Sequence, residues 1–310
     1  MPINVLFSAA DHRWEEYREP LTVAFEEAGL DVALSRDHAP AETDYIVCAP
    51  SGPVQDFSPF TRTKAVLNLW AGVEDIVGNE TLTQPLIRMV DDGLTRGMVE
   101  WVVGHTLRHH LGMDAHIVNP DHDWNPVAPP LAEERPVTIL GLGELGSACA
   151  RALADLGFPV TGWSRRPKDV PGVTCLSGAE EFSRALFRAQ VLILLLPLTR
   201  ATEAIVEAEA LSHLARGAVL LNPGRGALID DDALLAALDE GQLSHATLDV
   251  FREEPLPPDH PFWADPKITV TPHIASITRP RTAARVIAEN IRRGEAGEPF
   301  LNLVDRTAGY

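Results

Sequence analysis

The sequence predicts an α/β protein built from two doubly wound parallel-sheet domains. The first observation behind this prediction is the order of the elements, because short apolar runs alternate with stretches of helical period along most of the chain, as parallel strands joined by helical crossovers require. The second is the length of 310 residues, which suits about two domains. The third is a glycine-rich turn at residues 141–146, which separates a strand from a helix.

The first series of elements begins close to the amino terminus. Short apolar runs predict strands at residues 3–7, 32–34, 45–47 and 64–69. A helix is predicted over 14–28, and Gly29 ends it because glycine readily adopts the left-handed conformation found after many helices. A longer helix is predicted over 96–117, since apolar and histidine side chains recur there at three- and four-residue spacings.

The second series follows a proline-rich loop at residues 125–130 and runs from residue 137 to residue 272. A last helix is predicted over 282–293, and the apolar tail at 300–304 could return to pack on the first domain. These patterns predict one domain from residues 1–96 and 283–310 and another from residues 97–282.

The charge of the chain limits the classes of partner. The 44 acidic residues against 26 basic ones give a formal net charge of −18, which argues against a nucleic-acid or anionic-membrane partner and favours a small molecule. No apolar run approaches the roughly 18 to 20 residues of a membrane span. No secretory signal follows Met1, so a cytoplasmic protein is predicted.

A dinucleotide site is predicted where the strand at 137–140 leads through a tight turn into a helix. The turn has the G-x-G-x-x-G spacing and consists of Gly141, Leu142, Gly143, Glu144, Leu145 and Gly146. In such a turn the first glycine allows the bend, the second lets the pyrophosphate approach the backbone, and the third lets helix and strand pack closely. The pattern predicts a Rossmann domain with the helix amino terminus facing the phosphates.

The end of the next strand favours NADP over NAD. An NAD site places an acidic residue there to accept hydrogen bonds from the ribose hydroxyls, whereas this chain has Ser164, Arg165 and Arg166. Two guanidinium groups and a hydroxyl can bind a 2′-phosphate through charge-assisted hydrogen bonds. A solvent-exposed basic turn without a ligand is the alternative interpretation.

Three later strands are each followed by a polar loop, and the loops contain Arg225, Glu254 and His273. Ligands of open parallel sheets bind outside the carboxyl ends of the strands, so these loops are expected to meet at the nicotinamide end of the dinucleotide. The three side chains suit reduction of a 2-oxo acid. His273 would act as general acid, Arg225 would hold the carboxylate and carbonyl oxygens, and Glu254 would orient the imidazole and favour its protonated form.

The three polar loop segments, at residues 222–226, 248–256 and 271–276, resemble the D-2-hydroxyacid dehydrogenase family in their order and spacing. Within that family, the chain is most similar to the glyoxylate/hydroxypyruvate reductase A branch through four segments. They are Met-Val-Glu-Trp at 98–101, Gly-Trp-Ser-Arg-Arg at 162–166, His-Pro-Phe-Trp at 260–263 and Thr-Pro-His at 271–273. The resemblance covers nearly the whole chain. It implies NADPH-dependent reduction of glyoxylate to glycolate and of hydroxypyruvate to D-glycerate, with Arg225, Glu254 and His273 as the catalytic residues.

The resemblance also implies an assembly and a role for each domain. Residues 97–282 form the NADP-binding Rossmann domain, residues 1–96 and 283–310 form a smaller, flavodoxin-like substrate domain, and the protein is a homodimer built largely through the nucleotide-binding domain. The residues that it places along the cofactor are Leu196, Pro197, Leu198, Pro223, Gly224 and Asp249.

The substrate loop departs from the family pattern. An apolar strand followed by G-A-G-V-D donates backbone amides to the substrate carboxylate in the family, and this chain has Leu-Trp-Ala-Gly-Val-Glu at residues 69–74. Ala71 and Gly72 are the expected amide donors. The indole of Trp70 either caps the substrate pocket and excludes larger 2-oxo acids or packs into the domain core.

Two other functions are compatible with the same residues. A reductase of larger 2-oxo acids would use the same catalytic set, and a non-catalytic, dinucleotide-sensing protein of the corepressor type would use the same fold. The intact catalytic set favours an enzyme. His105 and His109 share a helix face, but no acidic residue stands between them as in zinc-protease motifs, so no metal site is predicted.

Overall fold

The computed structural model describes residues 1–124 and 126–309, so Asn125, the first residue of the predicted proline-rich loop, and Tyr310 lie outside the described residues. The strands are β1 (Ile3–Ser8), β2 (Val32–Ser35), β3 (Tyr45–Cys48), β4 (Ala65–Asn68), β5 (Leu86–Ile87), β6 (Val137–Leu140), β7 (Val160–Ser164), β8 (Val173–Ser177), β9 (Val191–Leu194), β10 (Ala218–Asn222), β11 (Leu243–Leu248) and β12 (Ile268–Val270). The helices are α1 (Asp11–Glu27), α2 (Glu74–Val77), α3 (Asp92–His110), α4 (Asp114–Ile117), α5 (Glu144–Asp155), α6 (Phe182–Leu186), α7 (Ala208–Ser212), α8 (Asp231–Asp239) and α9 (Pro280–Ala296).

The chain divides into two units, which we call unit 1 (Met1–Leu94 and Ile277–Tyr310) and unit 2 (Thr95–Ser276). Unit 1 contains a five-stranded sheet in the order β2-β1-β3-β4-β5, and its neighbouring strands are parallel. This order is the flavodoxin-like one of doubly wound sheets.

One face of the sheet of unit 1 is covered by helices from both ends of the chain. Leu21 of α1 and Ile287 and Ile291 of α9 are buried in one apolar cluster with Phe7 of β1 and Val47 of β3. The helices α1 and α9 also pack against each other. The core of unit 1 therefore depends on residues from both of its chain segments.

The carboxyl-terminal tail packs on unit 1, as its apolar run led us to expect. Leu303 forms an antiparallel bridge with Ile87 of β5, and the N–H of Val304 donates to the carbonyl of Leu86. The tail thus extends the sheet at its β5 edge.

Unit 2 contains a seven-stranded sheet in the order β12-β11-β10-β9-β6-β7-β8, and all of its paired strands are parallel. The chain order reverses between β6 and β9, which is the topological switch point at which Rossmann sheets bind their ligands. Every residue of β6, β9 and β10 is buried, as parallel strands covered on both faces require. The two sheets confirm the predicted fold class.

The prediction of one helix over 96–117 is wrong at both ends. The helix α3 begins at Asp92, where the Oδ1 atom of Asp91 accepts hydrogen bonds from the N–H groups of Gly93 and Leu94. It ends at His110, because Gly112 adopts a left-handed conformation with φ of +62° that a helix cannot continue through. No helix in the described residues is long and apolar enough to cross a membrane.

Candidate active site

Unit 2 brings most of the predicted site residues to one edge of its sheet. Because its strands are parallel, their carboxyl ends lie at that edge. In order along the edge, it carries residue 273 after β12, residues 249 and 254 after β11, residues 223–225 after β10, residues 196–198 after β9, residues 141–146 after β6, and residues 164–166 at the end of β7. The predicted catalytic residues therefore lie on one side of the switch point and the predicted 2′-phosphate residues on the other.

The glycine-rich turn has the space that a bound pyrophosphate needs. Gly141 has φ of +108°, and a Cβ atom there would lie 2.5 Å from the carbonyl oxygen of Leu195. A Cβ atom on Gly146 would lie 1.7 Å from the carbonyl oxygen of Gly141, so neither position tolerates a side chain. Gly143, by contrast, has no other atom within 4 Å of where its Cβ would stand.

Gly143 is also the residue that precedes the first turn of α5, and no side chain caps that helix. The first N–H groups of a helix lack acceptors within it, and the helix dipole favours negative charge there. An open glycine beside an uncapped helix amino terminus fits a dinucleotide pyrophosphate. The described residues thus fit the cofactor that the sequence predicts.

The segment predicted to bind the 2′-phosphate begins at the last residue of β7. Ser164 is buried, and its Oγ atom donates a hydrogen bond to the carbonyl oxygen of Arg166 at 2.8 Å. Arg165 and Arg166 are exposed. The hydroxyl proton is therefore used within the turn.

The loops after β9 and β10 lie close to the switch point. Leu196 is buried and Pro197 and Leu198 are half-buried, and the Pro197 carbonyl accepts a hydrogen bond from Thr202 Oγ1 at 2.7 Å. A Cβ atom on Gly224 would lie 2.7 Å from the carbonyl oxygen of Leu194. The hydrogen bond stabilises the loop after β9 internally, and Gly224 lies too close to the end of β9 to accept a side chain.

Arg225 is held by a residue that the sequence did not single out. Asn222 is fully buried; its Oδ1 atom accepts from the N–H of Gly224 at 3.1 Å, and its Nδ2 atom donates to the carbonyl of Arg225 at 2.9 Å. The guanidinium of Arg225 donates to the carbonyl of Gly224 at 2.7 Å. The backbone around Arg225 is thus fixed from within the sheet.

Asp249 was expected along the cofactor, but its side chain organises the loop that carries His273. It is fully buried and accepts hydrogen bonds from Thr271 Oγ1 at 2.6 Å, from Ile274 N at 2.9 Å and from Ala275 N at 2.8 Å. Burial raises the pKa of the Asp249 carboxyl, while the hydrogen bonds that it accepts act in the opposite direction. Sequence reasoning missed this role because the donors lie on another loop.

His273 and Glu254 are in direct contact. His273 Nδ1 lies 2.7 Å from Glu254 Oε2, and Glu254 Oε1 accepts from the N–H of Phe251 at 2.9 Å. His273 has φ of +52°, and its N–H donates to the carbonyl of Asp249 at 2.8 Å. Because a carboxylate at Nδ1 favours a proton on that nitrogen, Nε2 is the ring nitrogen that remains for a substrate.

The predicted substrate loop belongs to unit 1, where it follows β4. Trp70 is half-buried and packs against the apolar cluster of that unit. The guanidinium carbon of Arg13 lies 5.1 Å from the centre of the Trp70 ring, within the range of a cation–π contact. Ala71 and Gly72 are half-buried. The indole therefore has both a core contact and an accessible part.

His109 on α3 contacts a threonine and another histidine. His109 Nε2 lies 2.9 Å from Thr247 Oγ1, and its ring centre lies 4.8 Å from that of His245. Burial lowers the pKa of His109 to about 3 and also lowers the pKa values of His105 and His245. Within the described residues, no group of three or more side chains is placed to hold a metal ion.

Comparisons with known proteins bear on this site. The sequence model for the NAD-binding domain of the D-isomer specific 2-hydroxyacid dehydrogenases matches residues 103–275. The chain is 39% identical over 317 aligned residues to a glyoxylate/hydroxypyruvate reductase A of Serratia proteamaculans (strain 568), with 99% of this chain and 100% of that protein covered.

Solved structures of D-isomer specific 2-hydroxyacid dehydrogenases are also similar to this chain. A D-isomer specific 2-hydroxyacid dehydrogenase from Xanthobacter autotrophicus Py2, solved with NADPH and MES, has a TM-score of 0.93 and 40% identity, with 100% of both chains covered. An NADPH-dependent glyoxylate/hydroxypyruvate reductase from Sinorhizobium meliloti, solved with NADP and sulfate, has a TM-score of 0.86 and 34% identity, covering 99% of this chain and 100% of that one.

Proposed function

Because the chain belongs to the D-isomer specific 2-hydroxyacid dehydrogenase family, we propose that it reduces small 2-oxo acids with NADPH, taking glyoxylate to glycolate and hydroxypyruvate to D-glycerate. The observation that carries this proposal is the 2.7 Å contact between His273 and Glu254. It lies at the same sheet edge as Arg225 and the glycine-rich turn. The reductase from Serratia proteamaculans and the NADP complexes of the two structural relatives support the substrate class and the cofactor.

Residues on both sides of the switch point are proposed to hold NADP. Gly141 to Gly146 would hold the pyrophosphate against the amino end of α5, and Arg165 and Arg166 would bind the 2′-phosphate. Leu196 to Leu198 and Pro223-Gly224 would line the nicotinamide half. When bound, NADPH supplies the hydride. We assign NADP binding to residues 97–282 and the substrate loop to the domain formed by residues 1–96 and 283–310.

Arg225 is proposed to orient the substrate. Its planar guanidinium can donate to a carboxylate oxygen and the adjacent carbonyl oxygen together, which a point charge cannot do. The Asn222 side chain donates to the Arg225 carbonyl at 2.9 Å and accepts from the N–H of Gly224 at 3.1 Å. Negative charge that develops on the carbonyl oxygen during reduction would therefore meet a donor that is already in place.

His273 is proposed to be the general acid. With Nδ1 held by Glu254, the proton for the carbonyl oxygen would leave from Nε2, and the contact with the carboxylate would hold the ring in the orientation that this transfer needs. Asp249 contributes by fixing the backbone of the His273 loop. Asp249 is a positioning residue in this scheme and not a proton donor.

A panel of 2-oxo acids of increasing chain length, assayed with NADPH and NADH by loss of reduced-nicotinamide absorbance, tests the proposal. We expect the highest kcat/KM for glyoxylate or hydroxypyruvate with NADPH. A higher value for phenyl- or branched-chain pyruvates would contradict the proposed substrate class. Tight NADPH binding without reduction of any 2-oxo acid would point instead to a dinucleotide-sensing protein.

We also propose that the protein is a homodimer formed through unit 2. The segment after α3 exposes several large apolar side chains, and exposed apolar patches of this kind are typical of protein interfaces. They are Ile117, Val118, Trp124, Val127 and Leu131. Multi-angle light scattering should give the mass of two chains, and a monomer for the variant Val118→Ser/Trp124→Ser. A wild-type monomer would contradict the proposal.

A further inference from the structure

The loop predicted to bind the substrate carboxylate is tied to one buried side chain. Asn68 is the last residue of β4 and is 1% exposed. Its Nδ2 atom donates hydrogen bonds to the carbonyl oxygens of Trp70 at 3.0 Å and Gly72 at 2.9 Å. A single side-chain amide therefore holds two peptide groups of this loop.

These two bonds fix the direction of two N–H groups. In a trans peptide the C=O of one residue and the N–H of the next point in opposite directions, and the peptides of this loop are trans. Since the carbonyls of Trp70 and Gly72 point at the Asn68 amide, the N–H groups of Ala71 and Val73 point away from it. Within residues 1–124 and 126–309, neither N–H has a hydrogen-bond acceptor.

The two peptide groups do not depend equally on Asn68. The carbonyl of Trp70 also accepts from the N–H of Met89 at 3.0 Å, so a second bond holds it. For the carbonyl of Gly72, the Asn68 amide is the hydrogen-bond donor within the described residues. Loss of the amide would therefore release the N–H of Val73 more than that of Ala71.

The other end of the side chain supports a specific role for the amide group. Asn68 Oδ1 is buried and has no hydrogen-bond donor within the described residues. Leaving a buried acceptor unpaired is unfavourable, so an asparagine at this position is not explained by the stability of the sheet alone. The two hydrogen bonds that the Asn68 amide donates to the loop explain why an asparagine stands here.

We propose that Asn68 is a positioning residue that turns the N–H groups of Ala71 and Val73 outward to bind the carboxylate of the 2-oxo acid. The proposal rests on the proposed function and refines it, because it selects Ala71 and Val73 as the donors where the loop pattern favoured Ala71 and Gly72. Asn68 does not touch the substrate.

The test compares Asn68→Leu, which has a similar size and no donors, with Asn68→Asp, which presents carboxylate oxygens to the same carbonyls. In each variant the N–H of Val73 is no longer directed at the substrate, so one hydrogen bond to the charged substrate carboxylate is lost. We therefore expect KM for glyoxylate and Ki for oxamate to rise about 10- to 100-fold. KM for NADPH should stay unchanged. Asn4→Leu is the matched control, since the Asn4 amide holds the Glu42 carbonyl at another loop of unit 1.

The outcomes distinguish a wrong role for Asn68 from a wrong proposed function. If the wild type reduces glyoxylate and both Asn68 variants keep its KM and the Ki for oxamate, the positioning role is wrong although the proposed function stands. If both variants only lose thermal stability, as Asn4→Leu would, Asn68 is structural and the inference is also wrong. A wild type that reduces no 2-oxo acid overturns the proposed function together with this inference.

Discussion

Replacing Arg165 and Arg166 together by alanine is expected to remove most of the preference for NADPH over NADH. Both side chains are exposed at the end of β7, and the Ser164 hydroxyl proton is bonded to the Arg166 carbonyl. If the two guanidinium groups bind the 2′-phosphate as proposed, they are the groups that distinguish it from a hydroxyl. NADH lacks that phosphate, so its binding should change little.

The exposure of the two arginines sets the size of the effect. A hydrogen bond to a charged group contributes about 1.5 to 3 kcal/mol, whereas an exposed ion pair contributes about 0.2 to 1 kcal/mol because solvent screens it. Two exposed contacts to a phosphate fall between these limits, at roughly 1 to 3 kcal/mol in total. That free energy corresponds to a rise of about 10- to 100-fold in Kd for NADPH.

Titration of NADPH and NADH fluorescence at low and high salt measures these changes. The wild-type preference should shrink as salt rises, because exposed charges are screened, and the double variant should show little salt dependence. Arg151→Ala is the control, since Arg151 is an exposed arginine on α5. Unchanged binding of NADPH by the double variant, or equal weakening of NADH, would refute the assignment.

Three further predictions concern other parts of the molecule. His273→Ala should lower kcat by about 10²- to 10⁴-fold while NADPH binding persists; near-normal turnover in steady-state assays would reject its role as general acid. Trp70→Gly should allow larger 2-oxo acids if the indole caps the pocket, whereas a destabilised variant in denaturant unfolding with an unchanged substrate range would place the indole in the core. The pKa of His109 is lowered to about 3 from an ordinary 6.5, so the unfolded chain binds the proton first as pH falls. The contribution of the neutral His109 ring to the free energy of unfolding is therefore complete above pH 6.5. As the pH falls below 6.5, this contribution decreases by at most about 1.4 kcal/mol per pH unit. Denaturant unfolding between pH 7 and pH 5 should show a shallower loss for His109→Gln, and an identical slope would contradict this reasoning.

The features that were predictable from the sequence are those with a local signal. The strand β6, the turn at 141–146 and the helix α5 are contiguous in the sequence. Gly141 and Gly146 of the turn leave no room for a side chain, and both positions belong to the recognised glycine spacing. Parallel strands then bring the loops after them to one edge, which is why distant residues such as Arg225 and His273 could be assigned to one site. The two-residue strand β5 is too short to have a recognisable pattern.

The features that were not predictable depend on partners that are distant in the chain or on fine backbone geometry. Asp249 binds donors on the loop after β12, and nothing in its neighbourhood in the sequence distinguishes this role from cofactor contact. The end of α3 depends on the left-handed conformation of Gly112, which competes with apolar spacing that continues beyond it. In both places the sequence pattern is compatible with two structures, and the conformation of the backbone determines which one forms.

The division of unit 1 into two chain segments has a consequence for biosynthesis. During translation, residues 1–94 emerge first, but α9, which fills one face of their sheet, emerges only after the whole of unit 2. We therefore expect unit 2 to complete its core while the sheet of unit 1 still has an exposed apolar face. A chain that is cut short before α9 should keep a folded nucleotide-binding half and leave the apolar face of the first sheet exposed to aggregation, so the synthesis of the last helix would complete the core of unit 1.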